Sequence, residues 1–108
     1  MEISFKEFQN LDLRIGKVLE AEKIEGSRNL IKLTVDFGTE KRQAVAGIAQ
    51  HYIPEDLVNN EYMFILNLEK RKMMGVESQC MIFAAEDKDG KIVLMRPEKE
   101  VEPGSHVR

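Results

Sequence analysis

The chain has 108 residues, of which 43% are hydrophobic, and this is the size and composition of one globular domain rather than a disordered segment. Its formal net charge is −3, and its single cysteine excludes an internal disulfide framework. No apolar run approaches the roughly 20 residues of a membrane-spanning helix, and Met1 is followed by Glu2 rather than by a secretion signal. We therefore expect a single domain over residues 1–108, located in the cytoplasm, with no membrane as a partner.

The first predicted elements are a short helix and an irregular strand. Ser4 and Glu7 have the spacing of a capping box, which predicts a helix that ends near Asn10. Alternating apolar residues over 11–15 then predict a strand. The alternation changes phase at Gly16, where we expect a β-bulge or a sharp bend.

The middle of the chain predicts two paired strands, a helical turn and another strand. Residues 31–37 alternate between apolar and polar, which is typical of a strand with one solvent face, and residues 41–48 predict the returning strand. Pro54 suits the first position of a short helical turn within residues 51–58. The apolar run at 62–66 indicates a buried strand.

The last third predicts a polar loop and a final hairpin. Residues 70–77 are predicted to form a polar loop that carries Gly75. The apolar runs at 81–85 and 92–95 predict strands, and Asp89-Gly90 between them is a strong hairpin-turn signal. Short strands, closely spaced turns and no long helix together predict an all-β, closed or nearly closed barrel.

No set of residues in the sequence predicts catalysis or metal binding. One cysteine and two widely separated histidines match no zinc pattern. Cys80 lies in an apolar run, where a thiol usually behaves as a small buried hydrophobe. There is no glycine-rich phosphate loop and no nucleophile–base pair. We therefore expect no enzyme activity, no catalytic residue, no metal and no cofactor.

The strongest chemical signal is a run of three cations, Lys70, Arg71 and Lys72, followed by Met73 and Met74. Cations neutralise phosphates and flexible thioethers can lie against an unstacked base, and small barrels combine these two properties when they bind single strands or loops. The overall acidity is no objection, because phosphate contacts depend on local charge. A merely solvated loop would show the same pattern, so composition alone leaves both interpretations open.

The order of several segments resembles the tRNA-binding domain family. Residues 12–18 (DLRIGKV) are similar to its opening strand, and residues 42–49 (RQAVAGIA) to a later one. The most specific similarity is between residues 67–81 and the pattern N-L-K-P-x-K-x-M-G-x-E-S-Q-G-M. The resemblance covers the chain from about Phe5 to Arg108. Two departures lie in the specific run, where Glu69-Lys70-Arg71 replaces K-P-x and Cys80 replaces a glycine.

This resemblance implies a fold and a function. The implied fold is a five-stranded oligonucleotide-binding (OB) Greek-key barrel, with a short N-terminal helix and a C-terminal β extension used in dimerisation. The implied function is non-catalytic tRNA binding that strengthens tRNA capture by methionyl-tRNA synthetase, as a β subunit or a C-terminal domain. The implied partners are tRNA, the synthetase catalytic chain and a second copy, which would meet along residues 92–107. The alternative is a chaperone-like, protein-binding OB-fold dimer.

The predicted contact residues follow from family position and from charge. Cations would meet phosphates, Asn67 and Ser78 would hydrogen-bond the RNA, and two methionines would pack against an exposed nucleotide. The predictions for Lys70 and Arg71 rest on charge alone, a solvated strand residue is the alternative for Lys32, and Ser78 could equally stabilise its loop. The full predicted tRNA-binding set is Lys32, Arg42, Asn67, Lys70, Arg71, Lys72, Met74, Ser78 and Met81.

Overall fold

One long strand organises the molecule. In the computed structural model, which describes residues 1–108, helix α1 (Phe5–Gln9) precedes strand β1 (Leu13–Lys23). Antiparallel pairs join β1 to β2 (Ile31–Asp36) on one side and to β4 (Glu61–Ile65) on the other. The remaining edge of β2 pairs with β3 (Lys41–Ala46). A 3₁₀ turn at Pro54–Leu57 connects β3 to β4, with Pro54 at its first turn as predicted.

The predicted capping box is confirmed at the start of helix α1. The Glu7 amide donates to the Ser4 hydroxyl at 3.0 Å, and the Ser4 amide donates to the Glu7 carboxylate at 3.1 Å. The helix is capped at its other end by Asn10, where the sequence predicts that it stops.

The main sheet curls into a nearly closed antiparallel barrel. Its strand order is β3-β2-β1-β4-β7, where β7 is Met81–Ile82. The two edge strands approach each other. The amide of Gln79, just before β7, donates to the carbonyl of Gln43 in β3 at 2.8 Å. An order in which the fourth strand returns beside the first is the Greek-key arrangement. The predicted five-stranded all-β barrel is therefore confirmed.

The barrel is filled by the inward face of β2 and by two phenylalanines. Three alternate residues of β2 are fully buried, and the rings of Phe37 and Phe64 pack edge to face with 5.3 Å between centroids. Gly16 lies directly against this core, since a Cβ there would come 2.6 Å from Phe37 Cε1. Of the bulge or sharp bend predicted at Gly16, the bulge occurs instead between Val18 and Glu20, where the register shifts, and Gly16 permits close packing.

Two small hairpins are added to the barrel. The predicted polar loop at 70–77 is wrong, because this segment forms β5 (Arg71–Met73) paired with β6 (Val76–Ser78). The run predicted as one strand at 81–85 is divided between β7 and β8 (Ala84–Glu86). Strand β8 pairs with β9 (Ile92–Leu94) across the predicted turn, where Gly90 has a φ of 82°.

The C-terminal segment returns to the start of β1. The Gly104 amide donates to the Ile15 carbonyl at 2.7 Å, and the Val107 amide donates to the Leu13 carbonyl at 2.9 Å. The predicted C-terminal β extension is therefore present as the β8–β9 hairpin and this returning segment, while its role in dimerisation stays a prediction. None of the helical segments has the length and apolar character of a membrane-spanning helix.

Candidate nucleic-acid interface

An apolar groove lies between the end of β3, strand β7 and the β5–β6 hairpin. Its volume is about 240 Å³, and nine of its 13 lining residues are hydrophobic. We call this surface "the groove", and it is lined chiefly by Val45, Ile48, Leu68, Met73, Cys80 and Met81. It is therefore built from segments that the chain order separates but the barrel brings together.

The predicted basic residues lie on the hairpin that forms one wall of the groove. Because side chains alternate along a strand, Arg71 and Met73 share the face that lines the groove, whereas Lys72 lies on the opposite face and Lys70 immediately precedes the strand. All three cations are exposed, and the three salt bridges of the molecule involve other residues. This rim of the groove therefore carries positive charge that is available to a ligand.

The tip of the hairpin faces the loop between β1 and β2. Met74 is 59% exposed, and its Cε would lie 3.5 Å from a Cβ built at Gly26 in that loop. The same loop touches the groove side of the barrel, because the Ala49 amide donates to the Asn29 carbonyl at 2.9 Å. In OB-folds, ligands bind across strands 2–3 between the β1–β2 loop and the loop after β4, and this groove lies on the β3 side of that face, beside the loop after β4.

Three polar side chains hold the hairpin against β3. The Ser78 hydroxyl accepts from the Val45 amide and donates to the Cys80 carbonyl, both at 3.0 Å. The Gln43 side chain donates to the Glu77 carbonyl at 2.8 Å, and the Gln79 carboxamide oxygen accepts from the Gln43 amide at 3.0 Å. Ser78 is buried, so the geometry favours the alternative role in which its hydroxyl stabilises the loop. Gln43 is a further residue of this set that the sequence does not single out, since its only signal is its place in the RQAVAGIA segment.

Arg42 and Asn67 also bond to backbone groups of the fold. Arg42 Nη1 donates to the Leu66 carbonyl at 2.7 Å and to the Gln79 carbonyl at 3.2 Å, while Nε lies 2.9 Å from Glu40. The Asn67 side chain accepts from the Asp12 amide at 2.8 Å and donates to the Asn10 carbonyl at 2.6 Å. Both side chains therefore stabilise loops beside the groove, and their contacts with tRNA stay predictions.

Lys32 and Met81 lie on the outer surface near the groove. Lys32 is the cross-strand partner of the groove residue Val45, so the two share one face of the sheet. Its Nζ is 2.9 Å from a carboxylate oxygen of Glu22. Met81 is 46% exposed and lines the groove directly. The structure thus gathers Lys70, Arg71, Lys72, Met74 and Met81 around the groove, with Lys32 beside them. Arg28, an exposed cation of the β1–β2 loop, is a further candidate that no motif in the sequence indicates.

The only thiol of the chain is unsuited to nucleophilic chemistry. Cys80 is buried, and this burial raises its pKa to about 12, so the protonated form predominates at neutral pH. The structure contains no cluster of three or more side chains suited to a metal ion. The groove is therefore equipped for binding, through apolar contacts and a cationic rim.

A family model and curated proteins match most of this chain. The family model described as "Putative tRNA binding domain" matches residues 13–106. A methionine–tRNA ligase of Archaeoglobus fulgidus is 58% identical over 106 residues, which are 98% of this chain and 16% of that protein. The chain therefore spans only about one sixth of the length of such curated relatives.

Two solved structures are similar over their full length. A MetRS related protein from Pyrococcus horikoshii matches with a TM-score of 0.94 and 43% identity, and each chain is covered completely. The chaperone CsaA from Bacillus anthracis matches with a TM-score of 0.90 and 30% identity, again over both whole chains.

Proposed function

Because this chain belongs to the tRNA-binding domain family, we propose that it binds tRNA and strengthens tRNA capture by methionyl-tRNA synthetase, as a β subunit or a C-terminal domain. The observation that carries the proposal is the unpaired cationic run 70–72 on the wall of an apolar groove. The identity to methionine–tRNA ligases supports the synthetase catalytic chain as the second partner. Such a role in translation belongs to the cytoplasm.

The chemistry of binding follows from the two kinds of surface. Lys70, Arg71 and Lys72 contact phosphates, which releases counterions and makes binding depend on salt. Met74 and Met81 pack against exposed nucleotides, which adds contacts that salt does not screen. The module performs no chemical step and contributes affinity, so in a synthetase it lowers the KM for tRNA without raising kcat.

The basic run supplies the decisive test. Replacing Lys70, Arg71 and Lys72 with Ala should weaken tRNA binding and flatten its salt dependence, by about 0.7–0.9 in the log–log slope for each phosphate that is no longer neutralised. Filter binding of tRNA over a salt series measures both quantities. With the synthetase catalytic chain present, the same variant should also lose the reduction in KM for tRNA.

The matched control removes equal charge elsewhere. Lys6, Lys88 and Lys91 lie outside both the groove and residues 92–107, and replacing them with Ala changes the net charge by the same amount. This control should bind tRNA with nearly unchanged affinity and salt slope. If the 70–72 variant is folded and binds tRNA as the unchanged protein does, the hairpin is not the contact surface.

We also propose that two copies associate along residues 92–107. Val93, Met95 and Val101 in this segment are 45%, 43% and 37% exposed. A second apolar groove of about 380 Å³, which includes Met63, Met95 and Val107, runs beside the returning segment. Exposed apolar surface of this kind favours association between proteins.

The second candidate function is chaperone-like binding of unfolded protein. It is favoured by the similarity to CsaA and by the apolar lining of the groove. The free cations at 70–72 favour RNA, because unfolded apolar peptides gain nothing from a cationic rim. Measured side by side, tRNA should bind the protein in a salt-dependent manner and an unfolded apolar peptide should compete poorly.

A further inference from the structure

We propose that residues 96–108, which we call "the strap", detach from the barrel as a unit, and that a second copy binds only while the strap is held by Gly38, Glu61 and Gly104. This inference rests on the proposed association of two copies and deepens it, because it names the contacts that prepare the surface for association. It is carried by the exposure of the strap, its backbone bonds and the close approach of two glycines.

The strap contributes no side chain to the hydrophobic core. None of its residues is buried, and the last core residue along the chain is Leu94. Its β pairing is one isolated bridge between His106 and Arg14. Segments with few buried apolar contacts open at a lower free energy than the core does. The strap is therefore able to leave the barrel without unfolding it.

Backbone bonds attach the end of the strap to strand β1. The Gly104 amide donates to the Ile15 carbonyl at 2.7 Å, and the Ile15 amide donates to the Ser105 carbonyl at 2.9 Å. The Val107 amide donates to the Leu13 carbonyl at 2.9 Å. Because the three bonds join one short segment to one strand edge, they are made and lost as a set.

A buried carboxylate holds the middle of the strap. Glu61, at the start of β4, is 8% exposed, and its Oε1 accepts from the Val101 amide at 3.0 Å. It takes part in none of the three salt bridges of the molecule. A hydrogen bond to an ionised acceptor is stronger than a neutral one, so this bond favours the attached strap. Glu61 does not line the second groove and therefore acts on it only through the strap.

Two glycines bring the strap and the β2–β3 turn into backbone contact. Gly38 and Gly104 have φ values of 87° and 91°. A Cβ at Gly38 would come 2.6 Å from the Pro103 carbonyl oxygen, and a Cβ at Gly104 would overlap the Phe37 carbonyl oxygen. Phe37 is 1% exposed, so the core fixes the turn and the strap has to fit against it. Only glycine satisfies both the backbone conformation and the available space at these two positions.

Attachment of the strap completes the surface proposed for the second copy. The second groove is lined by Ile15 and Met63 from the barrel strands and by Val101 and Val107 from the strap. A detached strap removes the last two and has to be ordered when the copies associate, which lowers the apparent affinity. Association in turn stabilises the attached strap by mass action.

Gly104→Ala tests the glycine contact, because detachment of the strap relieves both the overlap and the backbone strain of the new side chain. Hydrogen exchange of the strap amides should become about 5- to 30-fold faster, or more, as expected for one residue strained in the left-handed region. Exchange in β2 and β4 should stay slow and shows that the barrel is folded. Gly26→Ala is the matched control, since Gly26 has a φ of 85° and a Cβ there meets only Met74 Cε, at 3.5 Å. This control should leave strap exchange and association unchanged.

Glu61 provides a second pair of variants that add no bulk and stay informative if Gly104→Ala does not fold. Glu61→Ala removes the acceptor of the Val101 amide, so it should speed strap exchange and weaken association. Glu61→Gln keeps an acceptor oxygen and should restore most of both properties. Combined with Gly104→Ala, Glu61→Ala should raise the dissociation constant of the two copies by about 10-fold or more, as measured by sedimentation equilibrium.

The outcomes separate this inference from the proposed association. If the copies associate and the variants speed strap exchange without changing the dissociation constant, the coupling is wrong and association stands. If the strap amides exchange as slowly in Gly104→Ala and Glu61→Ala as in the unchanged protein, these contacts do not hold the strap. If the unchanged protein never associates, both proposals are overturned. Faster strap exchange with weaker association, reversed by Glu61→Gln, supports the inference.

Discussion

At the scale of single residues, Cys80 is the group whose acid–base chemistry the fold changes most. Desolvation by burial raises its pKa from 9.0 to about 12, and the nearby Arg42 guanidinium opposes this only in part. The folded state therefore binds the thiol proton more tightly than the unfolded state does. This contribution to stability is complete below pH 9.0 and is lost as pH rises towards 12.

A comparison of two proteins isolates this effect. Between pH 8 and pH 10, the free energy of unfolding should fall about 1.4 kcal/mol more in the unchanged protein than in the Cys80→Ala variant. Denaturant titrations at each pH measure both values. Tyr62, whose pKa burial also raises, is present in both proteins and cancels in the difference. Equal pH slopes would show that the thiol is not desolvated as described.

Arg42 and Ser78 show why residue roles are difficult to assign from sequence. Both belong to motifs that favour RNA contact, yet both bond to backbone groups of the fold itself. The carbonyl partners of Arg42 are 24 and 37 residues away, and the amide partner of Ser78 is 33 residues away. A backbone partner leaves no side-chain signature in the sequence. Only the exposed cations at 70–72 could be proposed as contact residues from their charge alone.

At the scale of elements, the β5–β6 hairpin depends on an unusual turn. Its two central residues, Met74 and Gly75, have φ values of 53° and 79°. Positive φ at both positions is required by a type I′ turn, the connection whose twist matches two-residue hairpins. Glycine adopts this geometry readily, whereas methionine does so at a cost. The hairpin is therefore held largely by Gly75 and by its bonds to β3.

Two glycines allow a matched test of this turn. Gly75 and Gly90 each have φ near 80° and open space where a Cβ would lie, so an alanine at either adds backbone strain without a clash. Gly75→Ala should cost about 1–2 kcal/mol locally, speed hydrogen exchange of the β5–β6 amides and weaken tRNA binding. Gly90→Ala should speed exchange in β8–β9 and weaken tRNA binding much less than Gly75→Ala does, because only Ala84 of that hairpin lines the groove. Equal loss of tRNA binding in the two variants would show that the β5–β6 hairpin has no specific role in tRNA binding.

Local signals predict most elements, and pairing partners account for the differences. Strand β2, the helix cap and the Asp89-Gly90 turn each follow from neighbouring residues, and all three are confirmed. The run 81–85 divides at Phe83, whose amide donates to Met63 and whose carbonyl accepts from Met95. The strand changes partner there, and periodicity shows which residues are apolar but not which strand lies beside them. The β5–β6 turn is likewise hard to predict from sequence, because methionine is an uncommon residue at positive φ.

At the scale of the whole molecule, the proposed dimer and the proposed RNA surface use different residues. The groove and its cations belong to β3, β7 and the β5–β6 hairpin, whereas the apolar surface along 92–107 borders β1 and β4. A dimer formed through residues 92–107 leaves the groove of each copy accessible. Two modules that engage one tRNA would raise its affinity beyond that of either alone.

Charge placed in the proposed dimer surface should separate the copies. Met95→Glu with Val101→Glu should raise the dimer dissociation constant by about 100-fold or more, because two carboxylates would be buried without partners. Ile53, which is 60% exposed and lies outside this segment, gives the control Ile53→Glu. Sedimentation equilibrium measures the masses. An unchanged protein that sediments as a single chain at every concentration would contradict the proposal.

The returning C-terminal segment also decides how the module can be joined to other proteins. Val107 is bonded to Leu13, only a few residues after helix α1, so the chain leaves the barrel beside the place where it enters. None of the groove lining comes from residues 1–13 or 103–108. A neighbour fused to either end would therefore attach at one common corner and leave the groove uncovered. Such a barrel can be fused before or after a larger domain without changing the residues of its binding surface.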